Sequence, residues 1–191
     1  GYTGSGKTFI LKELKSLGEQ IIDLEAIANH KGSTFGGINQ PPQPTTEQFE
    51  NNLHHELLKI DRSKVVWLED ESHNIGRNEI PHNFFAQMQK SKLIFLDVPR
   101  IERARHLVEE YSVCDKKKLA ESIMHISKRI GGLNVKNALA YLEDDNFFEV
   151  ALIALGYYDK SYFQLMQSRN NENVLTLKLP NISHLKNAHE I

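Results

Sequence analysis

The sequence has little of several features that would assign it to a special class of protein. It contains one cysteine, Cys114, so an internal disulfide is excluded and a reducing compartment is expected. Its longest purely apolar run, residues 150–155, is far shorter than the roughly 20 residues that span a bilayer, so no membrane partner is expected. An excess of one charge is also lacking, because 23 Lys and Arg oppose 25 Asp and Glu. A nucleic-acid binder held by bulk positive charge is therefore excluded, but a local basic patch is not.

The first eight residues match the pattern G-x-x-x-x-G-K-[ST]. Glycines let the backbone wrap a phosphate with its N–H groups, the lysine adds a positive charge, and the final hydroxyl can ligate Mg²⁺. Apolar residues at helical spacing over residues 9–17 predict the helix that should follow, ending near Gly18. The alternative is a glycine-rich turn that precedes a helix by chance. The predicted phosphate-binding residues are Gly1, Thr3, Gly4, Ser5, Gly6, Lys7 and Thr8.

Four short apolar runs predict strands, at residues 20–24, 64–70, 92–98 and 173–179. The first three are continuous rather than alternating, as parallel strands buried on both faces should be. Helical stretches separate them, including residues 47–60 and 81–90. This order predicts an α/β fold of the P-loop NTPase-like, kinase-type class, with a parallel sheet flanked by helices.

Residues 100–170 interrupt this alternation and are predicted to be helical. The expected helices cover roughly residues 101–111, 116–130, 134–142 and 146–167, with a break at Gly156 in the last. We therefore expect a helical lobe over residues 100–170, inserted before the last strand of an α/β core that comprises residues 1–99 and 171–191. The lobe begins with a basic stretch, because residues 100–136 contain nine Lys or Arg and five Asp or Glu.

Three acidic residues, Glu69, Asp70 and Glu71, follow the second predicted strand. In P-loop proteins such a strand end often carries an acid that positions Mg²⁺ or activates a hydroxyl. Strand alternation sends Glu69 and Glu71 to one side and Asp70 to the other. We expect Asp70 to be the catalytic and metal-binding acid together with Thr8, with Glu69 as the alternative. A solvated acidic strand end is the structural alternative, and Asp23 and Glu25, after the first strand, are either helix-capping or site residues.

Several segments together resemble the tRNA 2-selenouridine synthases. Residues 23–36 are similar to that family's DLE-x-x-A-x-H-[RK]-G-S-x-F-G segment. Residues 42–51 are similar to its P-Q-P-[ST]-Q-x-x-F-E-[NS] segment with small differences in spacing, and residues 67–76 to its W-[VL]-E-D-E-S-x-x-I-G segment. Residues 96–99, Arg103 and residues 110–111 also fit. The resemblance covers about the first 110 residues in order, and residues 112–170 match it only in helical character.

The resemblance implies a cytoplasmic transferase that acts on 2-thiouridine at the wobble position of tRNA. Such enzymes attach a geranyl group from geranyl diphosphate and replace the sulfur with selenium from selenophosphate. The implied partners are tRNA and a rhodanese-like domain, either in the same polypeptide or as a separate subunit, and the implied metal is Mg²⁺. Cys114 does not lie in a rhodanese context, so the selenium-carrying role is not assigned to it.

The candidate site residues combine the motif and the resemblance. Lys7, His30, Glu69 and Asp70 are the candidate catalytic residues. Candidate contacts to the substrate or to tRNA phosphates are Lys31, Ser33, Arg77, Arg100 and Arg103. The structural alternatives are an exposed loop histidine for His30 and a surface ion pair with Glu102 or its neighbours for Arg103. Candidates by residue type for an apolar slot are Phe35, Phe49 and Trp67. The loop over residues 30–44, which contains the Pro- and Gly-rich stretch 32–44, is long enough to close over a site.

Two other functions share part of this pattern. An ATP-dependent small-molecule or nucleoside kinase has the same P-loop and acidic strand end. A GTPase-like switch is disfavoured, because no N-K-x-D motif occurs in the chain. The sequence leaves open whether the loop holds geranyl diphosphate, selenophosphate, or ATP or GTP.

Overall fold

The computed structural model describes residues 1–167, 169 and 171–191. Packing divides the chain into two compact units. The first comprises residues 1–6 and 94–182, and the second comprises residues 7–93 and 183–191. The expected helical lobe thus falls in the same compact unit as the last two strands, and the division into a core and a lobe stays a prediction. Within the described residues, no helix is both long and apolar enough to cross a membrane.

Helices and strands are interspersed over the first half of the chain, and a run of helices follows. The helices are α1 (Lys7–Ser16), α2 (Leu24–Ala28), α3 (Thr46–Leu57), α4 (His82–Lys90), α5 (Arg100–Tyr111), α6 (Lys116–His125), α7 (Ser127–Ile130), α8 (Gly132–Glu143), α9 (Phe147–Gln167) and α10 (His184–His189). The strands are β1 (Gln20–Ile22), β2 (Val66–Leu68), β3 (Asn74–Ile75), β4 (Asn78–Glu79), β5 (Leu93–Asp97) and β6 (Val174–Lys178). All four predicted strands form, as β1, β2, β5 and β6.

The strands pair two by two. In the second unit β1 and β2 run parallel, with Gln20 opposite Val66 and Ile22 opposite Leu68. The short strands β3 and β4 form an antiparallel hairpin in the same unit. In the first unit β5 pairs with β6. The α/β class is therefore confirmed, while a single continuous parallel sheet of the kinase type stays a prediction.

Side-chain caps set the starts of two helices in the second unit. The Asp23 carboxylate accepts a hydrogen bond from the backbone N–H of Ala26 at 2.8 Å, and Thr45 caps α3 by accepting from Gln48. Asp23 is thus a helix-capping residue, one of the two roles that its position allows. The buried core beneath these helices contains Ile22, Leu24, Ala28, Phe49, Leu53, Ile75, Ile80 and Met88.

The long helix α9 corrects one sequence prediction. It runs through Gly156 without a break, so the expected interruption there is wrong. Tertiary packing overrides the low helix propensity of glycine, because α9 packs against both α5 and α8. The helix predicted over residues 116–130 is instead two helices, which join at Ile126, the C-terminal cap of α6.

Candidate phosphate-binding and substrate site

The first part of the P-loop motif is a tight turn in the first unit. The Ser5 N–H donates to the carbonyl of Tyr2 at 3.3 Å, and Gly4 and Gly6 both have a φ of +76°. A Cβ at Gly1 would lie 2.9 Å from a backbone oxygen of β5, so no side chain fits there. The hydroxyl of Ser5 is buried and has no hydrogen-bond partner in the described part of the chain. A buried orphan hydroxyl on this loop fits a role in binding an oxygen of a phosphate.

Lys7 and Thr8 form the first turn of α1, in the second unit. The backbone N–H groups of such a turn lack intrahelical partners and carry the positive end of the helix dipole, which favours an anion. The Thr8 hydroxyl donates to the carboxylate of Glu25 at 2.7 Å. Glu25 therefore belongs to the site, and the sequence had left its role open.

Two buried carboxyl groups, Glu69 and Glu71, and the half-buried Glu25 lie around this turn. Burial, together with the charges of Asp23 and Glu25, raises the pKa of Glu69 to about 8. Burial and the charge of Glu25 raise the pKa of Glu71 to about 7, although the positive charge of Lys7 opposes the shift. The pKa of Glu25 is also raised, mainly by burial. This cluster contains more negative than positive charge, so it holds protons at neutral pH and would be stabilised by a cation.

Glu69 has one oxygen bonded and one unbonded. Its Oε2 accepts the backbone N–H of Leu24 at 3.2 Å, while its buried Oε1 has no partner among the described residues. Such an orphan oxygen, with the Thr8 hydroxyl and Glu25 close by, fits the hard oxygen ligands that Mg²⁺ takes, usually one or two from protein beside phosphate and water. In the described ranges no group of three or more His, Cys, Asp or Glu side chains is arranged to hold a metal by itself.

Asp70 lies at the edge of the same cluster. It is half-buried, whereas Glu69 and Glu71 are only 3% and 8% exposed. The charge of Asp70 raises the pKa of Glu71, so the two carboxylates are near each other. The shared burial of Glu69 and Glu71 agrees with the strand alternation. The catalytic and metal-binding roles of Asp70 stay predictions.

The loop that follows α2 packs onto the acidic cluster. Gly32 has a φ of +66° and lies so close to the Glu71 carboxylate that an added Cβ would overlap it. His30 is half-buried, its Nδ1 has no hydrogen-bond partner in the described structure, and burial lowers its pKa, so its ring is neutral at neutral pH. Lys31 is exposed and Ser33 is half-buried on the same loop. The structure thus brings these three predicted residues to one loop beside Glu71, and their contact with substrate stays a prediction.

The remainder of this loop is fastened by Gln43. The Gln43 amide donates to the carbonyl of Ile75 at 2.9 Å and to the Asn78 side chain at 3.0 Å, and accepts the backbone N–H of Arg77 at 3.0 Å. The Arg77 guanidinium also donates to the carbonyl of Gln43. Arg77 therefore stabilises the contact between this loop and the β3–β4 hairpin, and a substrate-binding role for it stays a prediction.

Arg103 is a buried clamp within the first unit. It is 2% exposed, and its guanidinium donates to the carbonyls of Val98 at 2.9 Å and Thr3 at 3.1 Å. It also makes a bidentate pair with the carboxylate of Asp159, at 2.9 and 3.0 Å, and lies over the ring of Tyr2. All of these contacts tie the P-loop turn to β5 and α9. The predicted alternative, a surface pair with Glu102, is therefore wrong.

Arg100 and the three aromatic candidates for an apolar slot lie in different surroundings. Arg100 is half-exposed and donates through Nε to Asp159 at 2.8 Å. Phe35 and Phe49 are 4% and 0% exposed and belong to the core, so they line no open apolar slot. Trp67 is half-buried and donates through its ring N–H to Glu19 at 3.2 Å.

The family comparison matches nearly the whole chain. A family model described as the tRNA 2-selenouridine synthase AAA domain matches residues 1–189. This chain belongs to that family. No solved structure matches it.

Curated relatives carry the same name as the family. The chain is 34% identical over 202 residues to a tRNA 2-selenouridine synthase of Shewanella frigidimarina, covering 90% of this chain and 54% of the relative. It is 32% identical over 212 residues to one of Bdellovibrio bacteriovorus, covering 89% and 55%. It is 44% identical over 113 residues to one of Shewanella sp. strain MR-7, covering 58% and 29%. The chain thus spans about half the length of the relatives that it matches most completely.

Sequence reasoning on this family domain missed Asp159 and Gln43 and gave no separate role to Glu71. Asp159 is 56 residues from Arg103, and no local pattern links the two. Gln43 was noted only as part of the family segment. For Glu71 a signal existed, because strand alternation placed it beside Glu69.

Proposed function

We propose that this chain is the phosphate-binding domain of a transferase that modifies the wobble uridine of tRNA. The observation that carries the proposal is the family match over residues 1–189, which begins at the P-loop motif itself. The relatives that share the domain are named tRNA 2-selenouridine synthase. The finer chemistry follows the family resemblance: geranylation of 2-thiouridine from geranyl diphosphate, then replacement of its sulfur by selenium from selenophosphate.

In the first step the thiouridine sulfur forms a bond to the first carbon of the geranyl group. The bond from that carbon to oxygen breaks, diphosphate leaves with the electron pair, and the base loses its N3 proton. Lys7 and the backbone N–H groups at the start of α1 are suited to bind the departing diphosphate. His30 has a neutral ring, and Glu71 has a pKa of about 7, so either is suited to accept the proton at neutral pH.

The orphan oxygen of Glu69 and the Thr8 hydroxyl support a Mg²⁺ ion as part of this site. When bound, the ion would neutralise charge on phosphate oxygens. Thr8 would hold it, together with Asp70 or Glu25. Glu69 is the alternative ligand, because a bound cation would favour the charged form of its carboxyl group over the protonated form that burial favours.

The proposed partners are tRNA and a rhodanese-like part. The relatives are about twice as long as the region that this chain matches, which supports a further domain or subunit in the working enzyme. Selenium transfer is therefore expected only when that part is supplied.

Calorimetric titration tests which phosphate compound this domain binds. Geranyl diphosphate, selenophosphate and Mg-ATP are titrated separately into the wild type, Lys7→Ala and a control, Lys15→Ala, which alters an exposed lysine of the same helix. We expect geranyl diphosphate to bind and Lys7→Ala to weaken it on the order of 100-fold, because a charge-assisted contact to the anion is lost.

The control should bind like the wild type, and circular dichroism melting confirms that each variant folds. Tight binding of Mg-ATP with no response to geranyl diphosphate would overturn the proposed ligand. That result would support the kinase alternative.

A further inference from the structure

A cleft of about 500 Å³ opens in the first unit, beside the Arg103 clamp. Its inner wall includes Val98, which is 1% exposed, and the half-buried ring of Tyr2. Its outer wall comes from the first turn of α5, with Arg100, and from α9, with Lys160 and Phe163. No residue of the outer wall has a role in the proposed binding of diphosphate.

The cations of the outer wall are positioned to meet an anion. The Nε of Arg100 donates a hydrogen bond to the Asp159 carboxylate. The terminal amino groups of Arg100 donate to no acceptor among the described residues. Lys160 is exposed and makes no ion pair within the described ranges. The buried pair of Arg103 and Asp159 supports this wall from its inner side. Arg100 and Lys160 are therefore the two cations of the wall that face solvent.

An exposed aromatic ring lies next to these cations. Phe163, a large apolar side chain, is 58% exposed and lines the cleft beside the two cations. It follows Asp159 by four residues and Lys160 by three, so all three lie on one face of α9.

We propose that this cleft binds one nucleotide of an RNA strand, with its base stacked on Phe163 and its phosphate at Arg100 and Lys160. An aromatic platform flanked by cations is the combination that recognises unpaired nucleotides. The open side of the cleft and the exposed ring favour a nucleotide within a strand. The basic stretch over residues 100–136 lies in the same unit and adds attraction for a polyanion. The identity of that RNA as tRNA rests on the proposed function.

Fluorescence anisotropy with a labelled tRNA anticodon stem–loop tests the cleft, with UMP titrated in parallel. Phe163→Ala should weaken stem–loop binding on the order of 10-fold, because stacking of one base is lost, and Phe163→Tyr should restore it. Lys160→Ala should weaken binding and lower the slope of log affinity against log salt by about 1. The controls are Leu133→Ala, at an exposed apolar position of α8, and Lys64→Ala, at an exposed lysine outside the basic stretch, and both should bind like the wild type.

The other outcomes separate this inference from the proposed function. If the wild type binds the stem–loop and all variants bind it equally, the cleft assignment is wrong while tRNA binding stands. If only UMP binds and depends on Phe163, the cleft takes free nucleotides and the RNA assignment is wrong. If neither probe binds, the inference is overturned, and the Lys7→Ala titration still decides the diphosphate site independently. If geranyl diphosphate does not bind in that titration while stem–loop binding depends on Phe163, the cleft assignment stands and the proposed diphosphate site is wrong.

Discussion

Glu69 lies buried beside other carboxylates, and its protonation is therefore coupled to folding. Its ordinary pKa is 4.5, and its pKa in the folded chain is about 8, chiefly because burial disfavours the charge. The folded state holds the proton across this interval and the unfolded state does not. The contribution of Glu69 to stability is thus fully present below about pH 4.5 and is lost as the pH rises to about 8.

Glu69→Gln should remove this pH dependence while keeping the acceptor for the Leu24 N–H. We expect the variant to melt about 5 °C above the wild type at pH 8 and to approach it at pH 5, because the amide never ionises. Thermal melts across this pH range measure the effect. Glu47→Gln, at an exposed glutamate of α3, is the control. Equal slopes for the wild type and Glu69→Gln would show that Glu69 does not carry the pH dependence.

The sequence predicted the chemistry of the residues better than their surroundings. The P-loop motif predicted the glycine turn and the position of Lys7 at a helix start, since both follow from local backbone geometry. It did not predict that Thr8 bonds to Glu25, which depends on how β1 and α1 pack. The burial of Arg103 was missed for the same reason, because its partner Asp159 comes from a distant helix.

At the scale of elements, the segment from α2 to α3 is held in place at one end by a single side chain. Gln43 bonds to the Ala28 carbonyl at 3.1 Å, to the Ile75 carbonyl at 2.9 Å and to Asn78 at 3.0 Å. Asn78 in turn donates to the carbonyl of Pro44 at 3.0 Å. These bonds fix the end of the loop that the sequence analysis expected to close over a site. Any closure would therefore be confined to the part of the loop before Gln43.

Gln43→Ala should destabilise the chain by about 1–3 kcal/mol, because it leaves buried carbonyl groups without donors. Urea unfolding measures the loss, and limited proteolysis should show faster cleavage within residues 32–44. Gln40→Ala is the matched control, because the Gln40 side chain makes no hydrogen bond within the described residues. If both variants unfold at the same urea concentration as the wild type, the Gln43 bonds do not stabilise the loop.

The strength of each periodic pattern decided which elements were predictable. Short apolar runs, three of them continuous, predicted β1, β2, β5 and β6 to within a few residues. The β3–β4 hairpin was missed, because two strands of two residues each carry no detectable period. The break expected at Gly156 was wrong, since packing of α9 outweighs a local propensity.

At the scale of the whole molecule, the chain divides into two compact units, each built from separate stretches of sequence. Sequence periodicity reveals the elements but not how they group, because grouping depends on contacts between distant segments. In the first unit, the pair of Arg103 and Asp159 connects the P-loop turn, β5 and α9. Removing one charge of a buried pair leaves the other uncompensated, which is costly.

Asp159→Asn should loosen the first unit while sparing the second. We expect faster hydrogen exchange at the amides of Ser5 and Arg103, and unchanged exchange in β1 and β2, because the lost contacts all lie in the first unit. Mass-spectrometric hydrogen exchange measures both regions in one experiment. Asp144→Asn, at an exposed residue after α8, is the control. Uniformly faster exchange in both units would show instead that the chain opens as one cooperative body.

The contacts of Arg103 also limit which amino-acid changes this domain can accept during evolution. One guanidinium donates to two backbone carbonyls and one carboxylate, drawn from three separate stretches of the chain. A mutation at position 159 that removes the carboxylate leaves a buried cation, so it would be tolerated only with a compensating change at position 103. The two positions should therefore be inherited as a pair.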